Sequence, residues 1–148
     1  MDHNYYMSLA LEEAQKAYDK LEVPIGAVIV KDGNIISRAH NLREESNQAV
    51  AHAEVLAIQR ANTSLDSWRL DSCTLYVTIE PCPMCAGAII QSRIKTVVYG
   101  AKDSKSGVHE SITKLFELPF NHKVEVVNGI LEKECSDLMK NFFSELRK

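Results

Sequence analysis

"TLYVTIEPCPMCAGAIIQSRIKTVVYG", residues 74–100, decides how this chain folds. It begins with a β-rich apolar run (Thr74–Ile79), crosses two prolines, and continues as small and aliphatic residues from Cys82 to Ser92. It ends in a second β-rich run from Lys95 to Ala101. The pattern reads strand, helix, strand. Pro83 suits the first helical position, where its missing N–H costs nothing, and Pro81 stiffens the approach. Cys82 and Cys85, three apart, then share one face of a helical turn. The partial positive charge of that helix N-terminus favours their thiolates.

Outward from this unit the periodicity continues. "VPIGAVIVKDGNIISRAHN" (23–41) reads as a hairpin around Asp32-Gly33. "AHAEVLAIQRAN" (51–62) reads as a helix with Val55, Leu56 and Ile58 turned inward, ending near Asn62. Tyr6, Leu9, Ala10, Ala14, Ala17 and Leu21 recur at helical spacing near the start. Beyond residue 101, "DSKSGVHES" is a polar loop, "ITKLFEL" a short helix and "KVEVVNG" a strand. Leu131, Cys135, Leu138, Met139, Phe142, Phe143 and Leu146 form one wide apolar stripe on a long last helix. Helices alternating with strands imply an α/β fold with one mixed sheet of about five strands, covered on both faces. A chain of 148 residues fits a single domain, 1–148.

The formal charge of −3 exerts no global pull toward nucleic acid. Arg93, Lys95, Lys102 and Lys105 against Asp103 make one local basic stretch, placed to line a pocket mouth after the helix of Cys85. The longest apolar run, Ile25–Val30, is far too short to cross a membrane, and residues 1–20 lack the apolar core of a signal peptide. A cytoplasmic location is therefore expected, and there a Cys-x-x-Cys pair reads as metal-binding or redox. Cys73 and Cys135 read as small buried hydrophobes, and Trp68 as a packing anchor.

Zinc favours tetrahedral sites of thiolate and imidazole, and a catalytic site keeps one position for water. Cys82 and Cys85 supply two ligands, and His52 supplies the third if the two strand–helix units lie side by side. His52 and Glu54 are about 200° apart on an ideal helix, so both reach one site only if His52 lies at or before the first turn. Glu54 is the proton carrier, taking a proton from water and handing it to a leaving nitrogen. A closed structural zinc site is the competing reading, with Cys73 or Cys135 as fourth ligand. The ordered set His52-x-Glu54 and Pro81-Cys82-x-x-Cys85 carries the signature of zinc nucleobase deaminases.

Over essentially its whole length the chain resembles the bacterial tRNA-specific adenosine deaminases. The resemblance lies in "EVPIGAVIV", "RAHNLRE", "AHAE", "SWRL", "TLYVTIEPCPMCAGAIIQSRI", "VVYGAKDSKSG", "FNHKVEVVNGILEKEC" and "FFSELRK". It implies a cytidine deaminase-like three-layer α/β/α sandwich, one Zn²⁺ per subunit, a homodimer, and deamination of the wobble adenosine (position 34) to inosine in a tRNA anticodon stem-loop. By motif match, His52, Cys82 and Cys85 hold zinc and Glu54 shuttles protons. The backbone around Ile25 and Ala53 and the side chain of Asn41 hold the flipped base or its ribose. Asp103 and Lys105 contact the anticodon backbone, and Phe143 packs on a flanking base while Phe142 stays in the core. "EPCPMC" and "AHAE" are shared with deaminases of free bases or nucleosides such as guanine or cytidine, which is the alternative reading. Val108-His109-Glu110-Ser111 departs from the small residues common there in the family, and its acid sits poorly beside a phosphate backbone.

Overall fold

A computed structural model describes residues 2–147. Helix α1 (His3–Asp19) is followed by strands β1 (Gly26–Lys31) and β2 (Asn34–His40), a short helix α2 (Arg43–Ser46) and α3 (Ala53–Leu65). Strand β3 (Cys73–Ile79), α4 (Pro83–Gln91), β4 (Thr96–Ala101), β5 (Glu125–Val127) and α5 (Glu132–Leu146) complete the order. Asp32 and Gly33 both take positive φ, at 51° and 77°, so the hairpin closes through the tight turn that its Asp-Gly pair predicts.

The five strands form one mixed sheet in the order β2-β1-β3-β4-β5. The pairs β2–β1 and β1–β3 are antiparallel, whereas β3–β4 and β4–β5 are parallel. Strand alternation then assigns the faces. Ala27, Ile29, Leu75, Val77, Val97 and Tyr99 point toward α3 and α4, while Val28, Val30, Tyr76 and Val98 point toward α1 and α5. β1 up to Val30 and the whole of β3 are buried, because the sheet is covered on both sides there. The expected α/β/α sandwich with about five strands is what the chain forms.

Helix α1 lies close on β1 because Gly26 has no side chain. A Cβ there would fall on the Ala10 carbonyl oxygen and 2.5 Å from the Ala14 nitrogen. Both neighbours are helix backbone and cannot swing aside, so Gly26→Ala should cost about 3 kcal/mol or more. Urea unfolding of the two proteins measures this, and a midpoint unchanged from wild type would show that α1 floats on the sheet.

Several expectations are corrected. Leu21 lies beyond α1 with φ 61° and is exposed. α3 runs on to Leu65 and buries Ala53, Glu54, Ala57, Ile58 and Ala61. At 100° per residue that face leaves Val55 and Leu56 on its flanks, half-buried. "ITKLFEL" shrinks to one 3₁₀ turn, Leu115–Glu117, held by buried Phe116 and ended before Pro119. The strand in "KVEVVNG" is three residues long.

The α5 stripe is narrower than its spacing suggests. Leu131 is the N-cap in a left-handed conformation, only Cys135 and Phe142 are buried, and Leu146 is exposed. The helix lies toward the β4 side of the sheet and has little to bury its last turns against. Trp68 is the sharpest reversal: it is 61% exposed, with the guanidinium carbons of Arg69 and Arg93 at 5.3 and 5.9 Å from its ring.

Candidate metal and active centre

The strand directions build the site. β2 and β3 both run antiparallel to β1, so the turns β2→α3 and β3→α4 open at the same end of the sheet. His52 is the N-cap of α3 (φ −81°, ψ 151°) and Cys82 the N-cap of α4 (φ −79°, ψ 172°). Neither side chain caps its own helix, so both remain available to a ligand. His52 therefore precedes the first turn, as sharing a site with Glu54 requires. Cys85 follows in the first turn of α4, after Pro83 at the first helical position.

His52 Nδ1 lies 3.6 Å from Cys82 Sγ and 3.5 Å from Cys85 Sγ. A tetrahedral zinc with ordinary Zn–N and Zn–S bonds sets an N···S edge of about 3.5 Å. His52 Nδ1 thus already stands from both sulfurs at the separation one metal ion imposes, the three donor atoms all lie within 4.8 Å of one another, and among the described residues they form the one such group. Cys73 begins β3 at the far end, and Cys135 packs against Gly100 beneath the opposite helix layer. Both are buried and neither joins the group, so the closed four-ligand reading fails.

Electrostatics match a metal-ready cluster. The Cys85 thiol donates to Cys82, and with His52 it brings the Cys82 thiol down to about 4 against the opposing effect of burial. The shared proton leaves Cys85 pushed far up. The Cys82 thiolate likewise raises His52. Glu54, 3% exposed, is pushed up to about 7 by burial, and its Oε1 has no hydrogen-bond partner. A buried carboxyl with an idle oxygen beside a metal-ligand cluster is suited to carrying a proton.

The neighbouring residues converge on the same end. Asn41 is buried; its N–H donates to the Ile25 carbonyl at 3.2 Å and its Oδ1 accepts from the Ala53 N–H at 2.7 Å. Asn41 thus locks the start of α3 to the entry of β1, one residue from His52. Asp103 lies in the loop after β4 at this end, but both its oxygens accept from its own turn, from the N–H groups of Lys105 and Ser106 and the Ser106 hydroxyl. Lys105 is exposed. Phe142 packs edge-on to Tyr18 and is buried, while Phe143 is 38% exposed, so one of the pair leaves the core.

The basic run Arg93–Lys105 does not act as a unit. β4 runs through it: Lys95 sits beside Cys73 and Arg93 beside Trp68 at one end, while Lys102 and Lys105 reach the site end about 20 Å away. The Glu110 departure also resolves. Its carboxylate accepts from the Tyr99 hydroxyl and from Asn128 at 3.2 Å, and pairs with Lys102 at 3.5 Å, so the added acid is directed into protein.

Three buried acids lacked any sequence reading. Glu13 lies under His40 and Lys16, Glu22 accepts from the N–H groups of Glu44 and Glu45, and Glu80 sits two residues before Cys82. An acid placed on a helix's apolar stripe (Glu13) or directly after a largely apolar strand (Glu80) was the available signal.

Comparison with known proteins agrees with this geometry. A family model described as MafB19-like deaminase matches residues 1–147. The tRNA-specific adenosine deaminase of Bacillus subtilis is 55% identical over 144 residues, covering 97% of this chain and 89% of that protein. Its counterpart in Streptococcus pyogenes serotype M18 is 49% identical over 148 residues, covering 99% and 93%. A solved structure from studies of A-to-I editing by tRNA:A34 deaminases superposes with a TM-score of 0.88 at 44% identity, covering 90% of this chain and 98% of that one. With the ligand cluster, the buried glutamate and these relatives in hand, the chain belongs to the tRNA-specific adenosine deaminase family.

Proposed function

We propose that this chain deaminates the wobble adenosine of a tRNA anticodon loop to inosine, with one Zn²⁺ held by His52, Cys82 and Cys85. The observation that carries the chemistry is His52 Nδ1 at 3.5–3.6 Å from both sulfurs beside a buried Glu54 with an unpartnered oxygen. Zinc, when bound, supplies the Lewis acidity that makes water a competent nucleophile near neutral pH. Glu54 then takes the proton released as water adds to the amidine carbon and delivers it to the departing ammonia. Its elevated pKa suits both duties, since a group poised near 7 accepts and gives up protons readily.

The flipped base would lie against the Ile25 and Ala53 backbone, with Asn41 fixing that wall. Lys102 and Lys105, with the Asp103 turn, would face the anticodon backbone, and exposed Phe143 would take a flanking base. An unpaired loop surrenders its base at little unstacking cost. We place the enzyme in the cytoplasm; among the described residues no helix is long and apolar enough to cross a membrane. A homodimer is part of the same reading, supported by exposed Ile112, Leu118 and Phe120, and light scattering after gel filtration measures it.

The test is inosine formation in a short anticodon stem-loop with adenosine at the wobble position, read by nuclease digestion and mass spectrometry. Free adenosine, cytidine and guanine run alongside. Inosine in the stem-loop alone is expected; turnover of a free base with silence on RNA would keep the zinc chemistry and overturn the substrate.

A further inference from the structure

Glu80 lies between the end of β3 and the Pro81-Cys82 turn and is 3% exposed. Among the described residues no cation pairs with it; five donors from one loop surround it instead. Oε1 accepts from the Asp103 N–H at 3.0 Å and the Ser111 hydroxyl at 2.5 Å. Oε2 accepts from the N–H groups of His109, Glu110 and Ser111 at 2.9, 2.9 and 3.1 Å. Burial pushes this carboxyl up, but the Ser111 hydroxyl and the backbone N–H groups of Glu110, Asp103 and Ser111 outweigh it and hold it below its ordinary value.

The loop is shaped around that carboxylate. Gly107 lies so close that a Cβ there would fall on the Glu80 carboxyl carbon and Oε1. The next residue, Val108, donates its N–H to the Pro81 carbonyl at 3.0 Å, one position before Cys82. Between residues 102 and 111 only Gly107 and Val108 are buried, so little apolar packing fixes the segment. Glu80 gathers more of the segment's hydrogen bonds than any other side chain, beside the Val108 contact, the Asp103 turn and the Glu110 contacts to Tyr99, Asn128 and Lys102.

We propose that Glu80 is a positioning residue for the reaction: its carboxylate holds the 103–111 loop against the Pro81-Cys82 turn, so that the RNA-facing Asp103–Lys105 segment and the metal-binding turn keep one fixed relation. This rests on the RNA-deaminase reading above, because it assigns the loop to substrate engagement rather than to the bond-making step. The loop's grip on RNA, more than turnover of bound RNA, then depends on Glu80.

The test compares zinc-loaded full-length wild type, Glu80→Gln and Gly107→Ala on the anticodon stem-loop. In Glu80→Gln, whichever way the amide turns, an NH₂ replaces an oxygen that served at least two donors. We expect KM to rise about tenfold or more with kcat within about threefold and zinc content unchanged. Amide hydrogens of His109, Glu110 and Ser111 should exchange about tenfold faster or more. Gly107→Ala crowds the Glu80 carboxyl group, and the Asp103 carbonyl oxygen with it, and should raise KM in the same direction, with the double variant less than additive. Should Glu80→Gln fail to fold, Ser111→Ala, which removes only the hydroxyl donor, should reproduce the effect in part.

Unchanged KM and unchanged exchange would overturn the proposal. So would a loss of zinc or kcat at unchanged KM, the signature of a structural role alone. If wild type left the stem-loop untouched, the substrate reading would fall and the positioning role with it. The exchange comparison would still report whether Glu80 holds the loop.

Discussion

Glu54→Gln is expected to fold, to bind zinc fully, and to deaminate the stem-loop at least about a thousandfold more slowly than wild type. Positioned general acid–base catalysis contributes about 10²–10⁴-fold, and in the proposed mechanism one carboxylate serves twice, first as base and then as acid. Glutamine keeps the shape and cannot take the proton. The fold should not suffer, because Glu54 is a buried carboxyl pushed up to about 7 by desolvation, with an oxygen that bonds nothing. Removing that charge relieves a desolvation cost, and the amide oxygen of glutamine still offers an acceptor to the backbone and Cys85 donors that the carboxylate now serves. Single-turnover rates beside zinc content and a thermal melt measure all three quantities. Activity within about tenfold of wild type would place proton transfer on another group.

Cys85→Ala should empty the metal site. Cys85 is one of three clustered candidate donors among the described residues, its sulfur 3.5 Å from His52 Nδ1, and the two that remain cannot enclose an ion. Loss of residues that merely orient ligands costs about 10–100-fold in metal affinity, so loss of a ligand should exceed about a hundredfold. Purified Cys85→Ala should therefore carry little zinc and show no measurable deamination, by metal analysis and inosine assay. Cys73→Ala and Cys135→Ala provide the contrast: both side chains are buried away from the cluster and should retain full zinc. Zinc loss in Cys73→Ala with turnover intact in Cys85→Ala would reverse the ligand assignment.

Much of the fold could be read locally. The hairpin rests on Asp32-Gly33, and α4 on a Pro at its first position followed by small and aliphatic residues. β1 and β3 rest on runs too short for helices, and each signal spans fewer than a dozen residues. Readings failed where the outcome depended on a distant surface. The α5 stripe met too little sheet to bury Leu146, and Trp68 found no core to anchor. Val55 lies off the buried face of α3, which follows the small alanines, while Leu56 still packs against the core from the flank.

The sequence by itself pointed to His52, Cys82 and Cys85 as candidate ligands, to Glu54 as candidate proton carrier, and to the order of the main strands and helices, because residue type, motif and local periodicity carry those. Only the tertiary structure decided which residues share an end of the sheet. Two antiparallel pairings about β1 bring His52, Cys82 and Asn41 together, the parallel β3–β4 pairing adds the 103–111 loop, and the run of β4 carries Arg93 and Lys95 away from them. It also revealed Glu80 as the anchor of that loop. A carboxylate satisfied by backbone N–H groups some thirty residues away leaves no periodic trace, since any residue but proline can supply the donor.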